Sequence, residues 1–199
     1  MSNNEDQEEL SPTTTPGYKP SAVKSVEEYA KLDAEDESLA RWKASLGIRA
    51  DGAPAPTVGP KITVLTLQLL SSNLPPGKAI SLDLQDAKRV ADTKKNPIVI
   101  REGVEYHVRI TFRVNHSIVT GLRYIQLVKR AGLKVDKLEQ MLGSYSPQQD
   151  PYTKDFESEE APSGVLARSG SYHVRSRVVD DDGAVYADWE WSFKLAKEW

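Results

Sequence analysis

Three histidines and a run of aspartates are the side chains whose types could do chemistry in this sequence. His107, His116 and His173 could act as general bases or metal ligands, and Asp180–Asp182 could bind calcium. No two histidines, however, lie at the i, i+2 or i, i+4 spacing that brings ligands together on one strand or helix. The acidic run lacks the alternation of ligands of an EF-hand and ends in Asp-Gly, which is typical of a hairpin turn. We therefore interpret these residues as surface histidines and a solvated turn.

Other enzymatic signatures are missing from the sequence. The chain has no cysteine, which excludes disulfides, zinc–thiolate sites and cysteine nucleophiles. It contains no GxSxG elbow, no glycine-rich phosphate loop and no HExxH motif. We expect no catalytic residues, no metal and no cofactor, and an esterase-like enzyme is the weakest of the functions considered.

Two further groups of side chains each have two interpretations. The basic residues Lys129, Arg130, Lys134 and Lys137 could meet nucleic acid, but the net charge of −3 and the interleaved acids favour a solvated strand edge and no nucleic-acid partner. The alternating Trp189 and Trp191 are most simply core residues. They could instead line a cavity between two sheets that an apolar ligand enters.

The elements that position these residues change in character at residue 60. From Val104 to Val114 apolar and polar residues alternate with the period of a half-buried strand, and 171–179 and 184–195 do the same. Further strands are expected at 62–70, 79–84, 98–101 and 118–128. Because these are antiparallel strands without intervening helices, residues 61–199 are predicted to form an all-β, immunoglobulin-like β-sandwich.

The first sixty residues are expected to be a flexible arm. They hold eleven of the 29 acidic side chains, six of the 26 basic ones and six of the twelve prolines. Residues 1–24 are predicted to be a disordered acidic tail, 25–47 a short helical hairpin and 48–60 a linker. Leu39, Trp42 and Leu46 share one helical face with no nearby core, so we expect them to pack on another protein. No signal peptide or membrane span is evident, and we expect a cytosolic protein.

An ordered set of short stretches carries a resemblance to a known family. They cover residues 18–199, and the chain resembles the Rho GDP-dissociation inhibitor family, whose fold is an immunoglobulin-like sandwich. The matching stretches, in order, are YKP (Tyr18–Pro20), LDAEDESLARWK, EGVEY, FRVN, YIQ, GSY, EEAPSGVLARSGSY, SR, DDD and WEW. Three departures are a segment one residue shorter before Gly47, Ile98 in place of a frequent aromatic, and Trp42 in place of a commoner tyrosine.

The resemblance implies three sets of binding residues. The arm would contact the switch regions of the GTPase through Tyr18, Asp36, Glu37, Ser38, Leu39, Trp42 and Leu46. A prenyl pocket would be lined by Leu67, Ile98, Ile118, Leu166, Val174, Trp189 and Trp191. Acidic contacts to the basic C-terminal segment of the GTPase would come from Asp136, Glu159, Glu160, Asp181 and Asp182. Asp36 has an equally simple interpretation as a helix cap, and each pocket or acidic residue as core or solvated surface.

The function that the resemblance implies is non-enzymatic. The chain would bind prenylated Rho- and Rac-type GTPases in their GDP form, slow GDP release, and extract them from membranes by burying the geranylgeranyl group. It would be a monomer that forms a 1:1 heterodimer and touches membranes only transiently. Ser25 and Ser171 match stretches phosphorylated in relatives. The alternative function is a general prenyl-lipid carrier without nucleotide control, which would not need the helices at 25–47.

Overall fold

Two β-sheets form most of the molecule. The computed structural model describes residues 2–13, 28, 35–39, 41 and 59–199. The helices whose bounds lie within the described residues are α1 (Ser2–Glu9), α2 (Ala87–Asp92) and α3 (Val165–Arg168). The strands are β1 (Ile62–Leu70), β2 (Ile80–Asp83), β3 (Ile98–Arg101), β4 (Glu105–Val114), β5 (Val119–Arg130), β6 (Leu133–Tyr145), β7 (Tyr152–Asp155), β8 (Glu159–Glu160), β9 (Ser171–Val179) and β10 (Val185–Ala196).

The two sheets stack face to face. The first has the order β2-β1-β4-β7, with β8 paired to one end of β4, and the second has the order β3-β10-β9-β5-β6. Side chains from both inner faces form one apolar core, in which Ile110, Phe112 and Val114 of β4 are at most 1% exposed. The all-β sandwich predicted from the alternation is therefore confirmed.

The pairing of the strands and the segments between them each differ from the expectation in one respect. The pair β3–β10 is parallel, whereas the remaining neighbours in both sheets are antiparallel. Two helices also lie between strands: α2 follows β2, and α3 follows β8. The Asp86 side chain caps α2 by accepting from the backbone N–H groups of Lys88 and Arg89. Helices of six and four residues are too short to show a helical period in the sequence.

Strand β6 was not among the predicted strands. It is the edge strand of the second sheet and pairs with β5 along most of its thirteen residues. Leu133 and Val135 alternate with Lys134 and Asp136, but the alternation is too short to identify a thirteen-residue strand, and residues 133–137 are all exposed. The basic residues interpreted as a solvated strand edge therefore lie on this hairpin, Lys129 and Arg130 on β5 and Lys134 and Lys137 on β6.

The beginning of the chain also differs from the expectation of a disordered tail over 1–24. Residues 2–9 are helical, and the following Leu10 is fully buried against Ile125, Leu127 and Val179 on the outer face of the second sheet. The sequence gives little sign of this arrangement, because α1 itself contains no apolar residue. Its order comes from contacts with the sheet, and such contacts are what stabilise most short helices.

A buried hydroxyl links three neighbouring strands of the second sheet. Ser176 on β9 accepts a hydrogen bond from Trp191 Nε1 of β10 at 3.1 Å, and its Oγ lies 2.9 Å from the hydroxyl oxygen of Tyr124 on β5. All three side chains are buried. Strands β5, β9 and β10 are therefore held together by buried polar contacts as well as apolar ones.

We expect Ser176→Ala to destabilise the protein by about 1–3 kcal/mol, because it leaves the buried Trp191 N–H without an acceptor. Urea unfolding measures the loss, with the exposed Ser72→Ala as the matched control. A change no larger than that of the control would show that the serine hydroxyl does not stabilise the sheet.

Candidate functional site

An apolar cavity opens between the two sheets at one end of the sandwich. Its volume is about 410 Å³, within the range of roughly 300–1,000 Å³ typical of small-molecule sites. Both sheets contribute to its wall. The lining residues are Leu67, Gln68, Leu69, Ile80, Leu82, Ile98, Ile100, Tyr106, Val108, Gln126, Val128, Arg130, Val135, Asp136, Glu159, Glu160, Pro162, Tyr172, Trp191 and Phe193.

Strand alternation places these side chains in the cavity. Trp191 and Phe193 are two residues apart on β10, so both point between the sheets. The ring of Tyr172 on the neighbouring β9 stacks on that of Phe193, with 4.7 Å between centroids and 3° between planes. The Trp191 and Phe193 centroids lie 5.8 Å apart. One wall of the cavity is therefore a connected group of three aromatic rings.

Three of the seven residues predicted for a lipid pocket line this cavity: Leu67, Ile98 and Trp191. The other four lie elsewhere. Val174 is buried in the core, and Trp189 lies beside Tyr124, with 6.0 Å between ring centroids. Leu166 on α3 is 79% exposed, and Ile118 is half-buried just before β5. Val174 and Trp189 share the inward face of their strands with cavity residues but lie deeper in the sandwich.

The prediction missed most of the apolar lining. Leu69 on β1 lies two residues from the predicted Leu67, and Val108 on β4 follows the predicted alternation of its strand, which is a detectable signal. Phe193 had the same signal on β10. Ile80 and Leu82 on the four-residue β2 had almost none, since four residues are too few to reveal a face.

Acidic side chains surround the mouth of the cavity. Asp136, Glu159 and Glu160, all predicted as acidic contacts, lie together there. The Tyr106 hydroxyl donates to Glu159 Oε2 at 3.3 Å. Burial raises the pKa of Glu159, and the negative charge of Asp136 raises it further. The pKa of Tyr106 is also raised, by burial and by Glu159. A cation placed here would relieve the repulsion between the carboxylates.

Arg130 closes another side of the mouth. Its guanidinium lies over the Tyr172 ring, 5.4 Å from the centroid. It also donates to the carbonyl oxygens of Leu166 and Ser169, the latter at 2.7 Å, at the end of α3. This arginine therefore holds the α3 segment next to the cavity through charge-assisted hydrogen bonds to backbone carbonyl oxygens.

The other two predicted acidic contacts lie at the opposite end of the sandwich. Asp181 and Asp182 belong to the β9–β10 turn, which follows Val179, and Val179 pairs with Arg123 at the far end of β5 from Arg130. Val179 lies seven positions after Tyr172 on β9, a distance of roughly 23 Å. Asp181 accepts from Arg123 at 2.7 Å. The structure thus does not bring these two acids together with the acidic mouth.

Part of the predicted arm is described. Asp36 Oδ1 accepts from the backbone N–H groups of Ser38 at 2.8 Å and Leu39 at 3.1 Å, which is helix-capping geometry. Glu37 forms an exposed ion pair with Arg41 at 3.3 Å. Leu39 is 36% exposed. The remaining predicted arm and modification residues, Tyr18, Ser25, Trp42 and Leu46, lie outside the described residues. Ser171 begins β9.

The side chains first considered for chemistry are dispersed. His107 Nε2 lies 3.9 Å from Asp155, His116 contacts Ser117 and the Gly59 carbonyl, and His173 contacts Ser192. Asp180 accepts from two backbone N–H groups of its own turn and from the Tyr186 hydroxyl. Within the described part of the chain, no three histidine or acidic side chains are grouped as a metal site, and no helix is long and apolar enough to cross a bilayer.

Comparison with known proteins gives consistent matches over nearly the whole chain. Residues 2–198 match the family model described as RHO protein GDP dissociation inhibitor. The chain is 43% identical over 176 residues to the Rho GDP-dissociation inhibitor of Schizosaccharomyces pombe, covering 88% of this chain and 84% of that one. It is 43% identical over 182 residues to Rho GDP-dissociation inhibitor 1 of Bos taurus (92% and 86%) and 41% identical over 186 residues to the Saccharomyces cerevisiae protein (91% of each).

Solved structures include a distant neighbour in shape. A Niemann-Pick type C2 protein from the Japanese carpenter ant aligns with a TM-score of 0.42 and 9% identity, over 70% of this chain and 96% of that one.

We expect Asp136→Asn to lower the pKa of Glu159 towards its ordinary value, because it removes one of the two causes that raise it. An NMR titration of the side-chain carboxyl carbon measures the pKa, with Asp83→Asn on β2 as the control. An unchanged Glu159 pKa would mean that burial alone is responsible.

Proposed function

The chain belongs to the family of RHO protein GDP dissociation inhibitors, and from this premise we propose that its cavity takes up the prenyl group of a Rho-family GTPase. The observation that carries the proposal is the apolar cavity between the sheets with its acidic mouth. A lipid leaves a bilayer only if its new site offers comparable burial, at about 0.8 kcal/mol per CH₂. The chain acts without bond chemistry, as a binding protein that returns geranylgeranylated GTPases to the cytosol as 1:1 complexes.

The acidic mouth would select what is attached to the lipid. Asp136, Glu159 and Glu160 lie where the lipid enters, so a basic segment next to the prenylated end of the GTPase would meet them. The raised pKa of Glu159 supports this proposal, because nearby cations would offset the cost of keeping its buried carboxylate ionised. Asp181 already has Arg123 as a partner, and the proposal therefore assigns the contact to the three acids at the mouth.

The arm would supply nucleotide control. We propose that Asp36, Glu37, Ser38 and Leu39, with Tyr18, Trp42 and Leu46, lie on the switch regions of the GDP-bound partner and slow GDP release. The partial exposure of Leu39 supports an external partner. Asp36 caps its helix through Oδ1, and a carboxylate has several acceptor positions, so it can hold a switch hydroxyl at the same time.

A general prenyl-lipid carrier without nucleotide control remains the second candidate. It would need the cavity alone. The relatives do not favour it, since each of the three is named as a GDP-dissociation inhibitor and each matches over most of its own length.

Filling the cavity should abolish membrane extraction. Leu69 is buried on the cavity wall, and Leu69→Trp would occupy volume that a lipid needs. We expect the wild-type chain to move prenylated Rho from membranes into the soluble fraction and Leu69→Trp to leave it on the membrane. Val185→Trp, at an exposed site on the far end of β10, is the matched control.

Thermal unfolding shows whether the overpacked variant is still folded, since such changes cost about 1–3 kcal/mol. If folded Leu69→Trp extracts as well as the wild type, the lipid is not in this cavity.

The two roles of Asp36 can be separated by substitution. Asn caps helices about as well as Asp, so Asp36→Asn keeps the cap and removes the charge. We expect GDP release from the complex to become faster by about tenfold, because a hydrogen bond to a charged acceptor is worth about 1.5–3 kcal/mol. Fluorescent-nucleotide release measures the rate. If Asp36→Asn slows GDP release as strongly as the wild type, the charge of Asp36 does not contact the GTPase and the residue acts only as a helix cap.

A further inference from the structure

The N-terminal clasp, residues 2–13, is attached to the back of the cavity wall. Its apolar anchor is Leu10, which is fully buried against Ile125, Leu127 and Val179. These three residues point away from the main core, on the outer face of β5 and β9. Without the clasp, this apolar patch would be exposed to water.

Charged contacts surround the apolar anchor. Asp6 pairs with Lys129 on β5, and Glu9 bridges Lys134 and Lys137 on β6 at 2.5 and 3.2 Å. Hydrogen bonds from the two lysines hold the pKa of Glu9 below its ordinary value. One acidic segment therefore joins the two strands of the β5–β6 hairpin from outside.

A second charged group secures the end of the clasp. The Thr13 backbone N–H and hydroxyl both donate to the Glu139 carboxylate, at 3.1 and 2.7 Å. Arg123 donates to Glu139 at 2.8 Å and to the Thr13 carbonyl at 3.2 Å. Burial opposes ionisation of Glu139, but these hydrogen bonds outweigh it and lower the pKa of the carboxyl.

The same hairpin forms part of the cavity wall on its inner side. Val128 and Arg130 of β5 and Val135 and Asp136 of β6 line the cavity, while their neighbours Lys129, Lys134 and Lys137 face the clasp. The side chains of residues 131–137 are all exposed, and β6 is an edge strand. Strand β6 pairs with β5 on one side only, and the ion pairs from Asp6 and Glu9 of the clasp are further contacts to this wall from outside.

We propose that the N-terminal clasp braces the β5–β6 hairpin and thereby controls how fast an apolar ligand leaves the cavity. The proposal rests on the proposed function, in which that ligand is a prenyl group. Release of the clasp frees the hairpin to move away from the opposite wall, Leu67 and Leu69 of β1. Most of the change in affinity is then in the dissociation rate.

The experiment uses full-length variants and a fluorescent geranylgeranylated peptide as the probe. Leu10→Asp removes the apolar anchor, and Glu9→Lys places a cation against Lys134 and Lys137. We expect each to speed probe dissociation by roughly threefold to tenfold. Glu8→Lys is the matched control, because it makes the same charge change on the exposed side of α1. Lys134→Glu with Lys137→Glu should restore slow dissociation to Glu9→Lys.

Hydrogen exchange of the free proteins provides an independent measurement. Amides of residues 2–13 and of 128–136 should both exchange faster in Leu10→Asp and Glu9→Lys than in the wild type and Glu8→Lys. If the clasp is released but neither exchange at 128–136 nor the dissociation rate changes, the inference is wrong. If the wild type does not bind the probe, the proposed function fails, and exchange at 128–136 alone decides whether the clasp braces the hairpin.

Discussion

The period of two along a β-strand governs both faces of this molecule. Along β5, a residue that lines the cavity has sequence neighbours that point outwards, so the inner and outer surfaces of this strand cannot be changed independently. On β5, Val128 lines the cavity while Leu127 and Lys129 contact the N-terminal clasp. The cavity wall and the surface that contacts the clasp are consequently the two faces of one short piece of sheet.

The two faces of the β5–β6 hairpin differ in charge. The mouth of the cavity carries Asp136, Glu159 and Glu160, whereas the outer face of the same hairpin carries Lys129, Lys134 and Lys137. The lysines have carboxylates of the clasp as partners, and the acids at the mouth repel one another. The net charge of −3 over the whole chain shows neither of these two charged groups. The interpretation of the four basic residues as a solvated strand edge fits Lys134 and Lys137 on the edge strand β6, whereas Lys129 and Arg130 lie on the interior strand β5.

The sequence predicts the faces of long strands better than it predicts depth or distant contacts. The alternation over Val104–Val114 identifies the buried face of β4, and the same rule places Trp191 inside. The alternation gives no position along the sandwich, so it could not show that the buried Val174 and the half-buried Trp189, both on inward faces, lie outside the cavity. The distance of Asp181 and Asp182 from the cavity mouth could not be predicted for a related reason. Only the pairing of β9 with β5 shows that their turn lies at the opposite end of the sandwich. The single Leu10 in a polar segment carries no periodic signal, and its burial depends on residues more than a hundred positions away.

The parallel pairing of β3 with β10 affects the order in which the strands can fold. Residues 98–101 find their sheet partner in residues 193–196. During synthesis, β1, β2 and β4 can assemble as soon as they have emerged, because each pairs with a near neighbour. Strand β3 must wait for some ninety further residues, and with it the wall that carries Ile98 and Ile100. Long-range pairings of this kind slow folding and leave apolar surface exposed in the interval. The cavity between the sheets is therefore among the last parts of the protein to form.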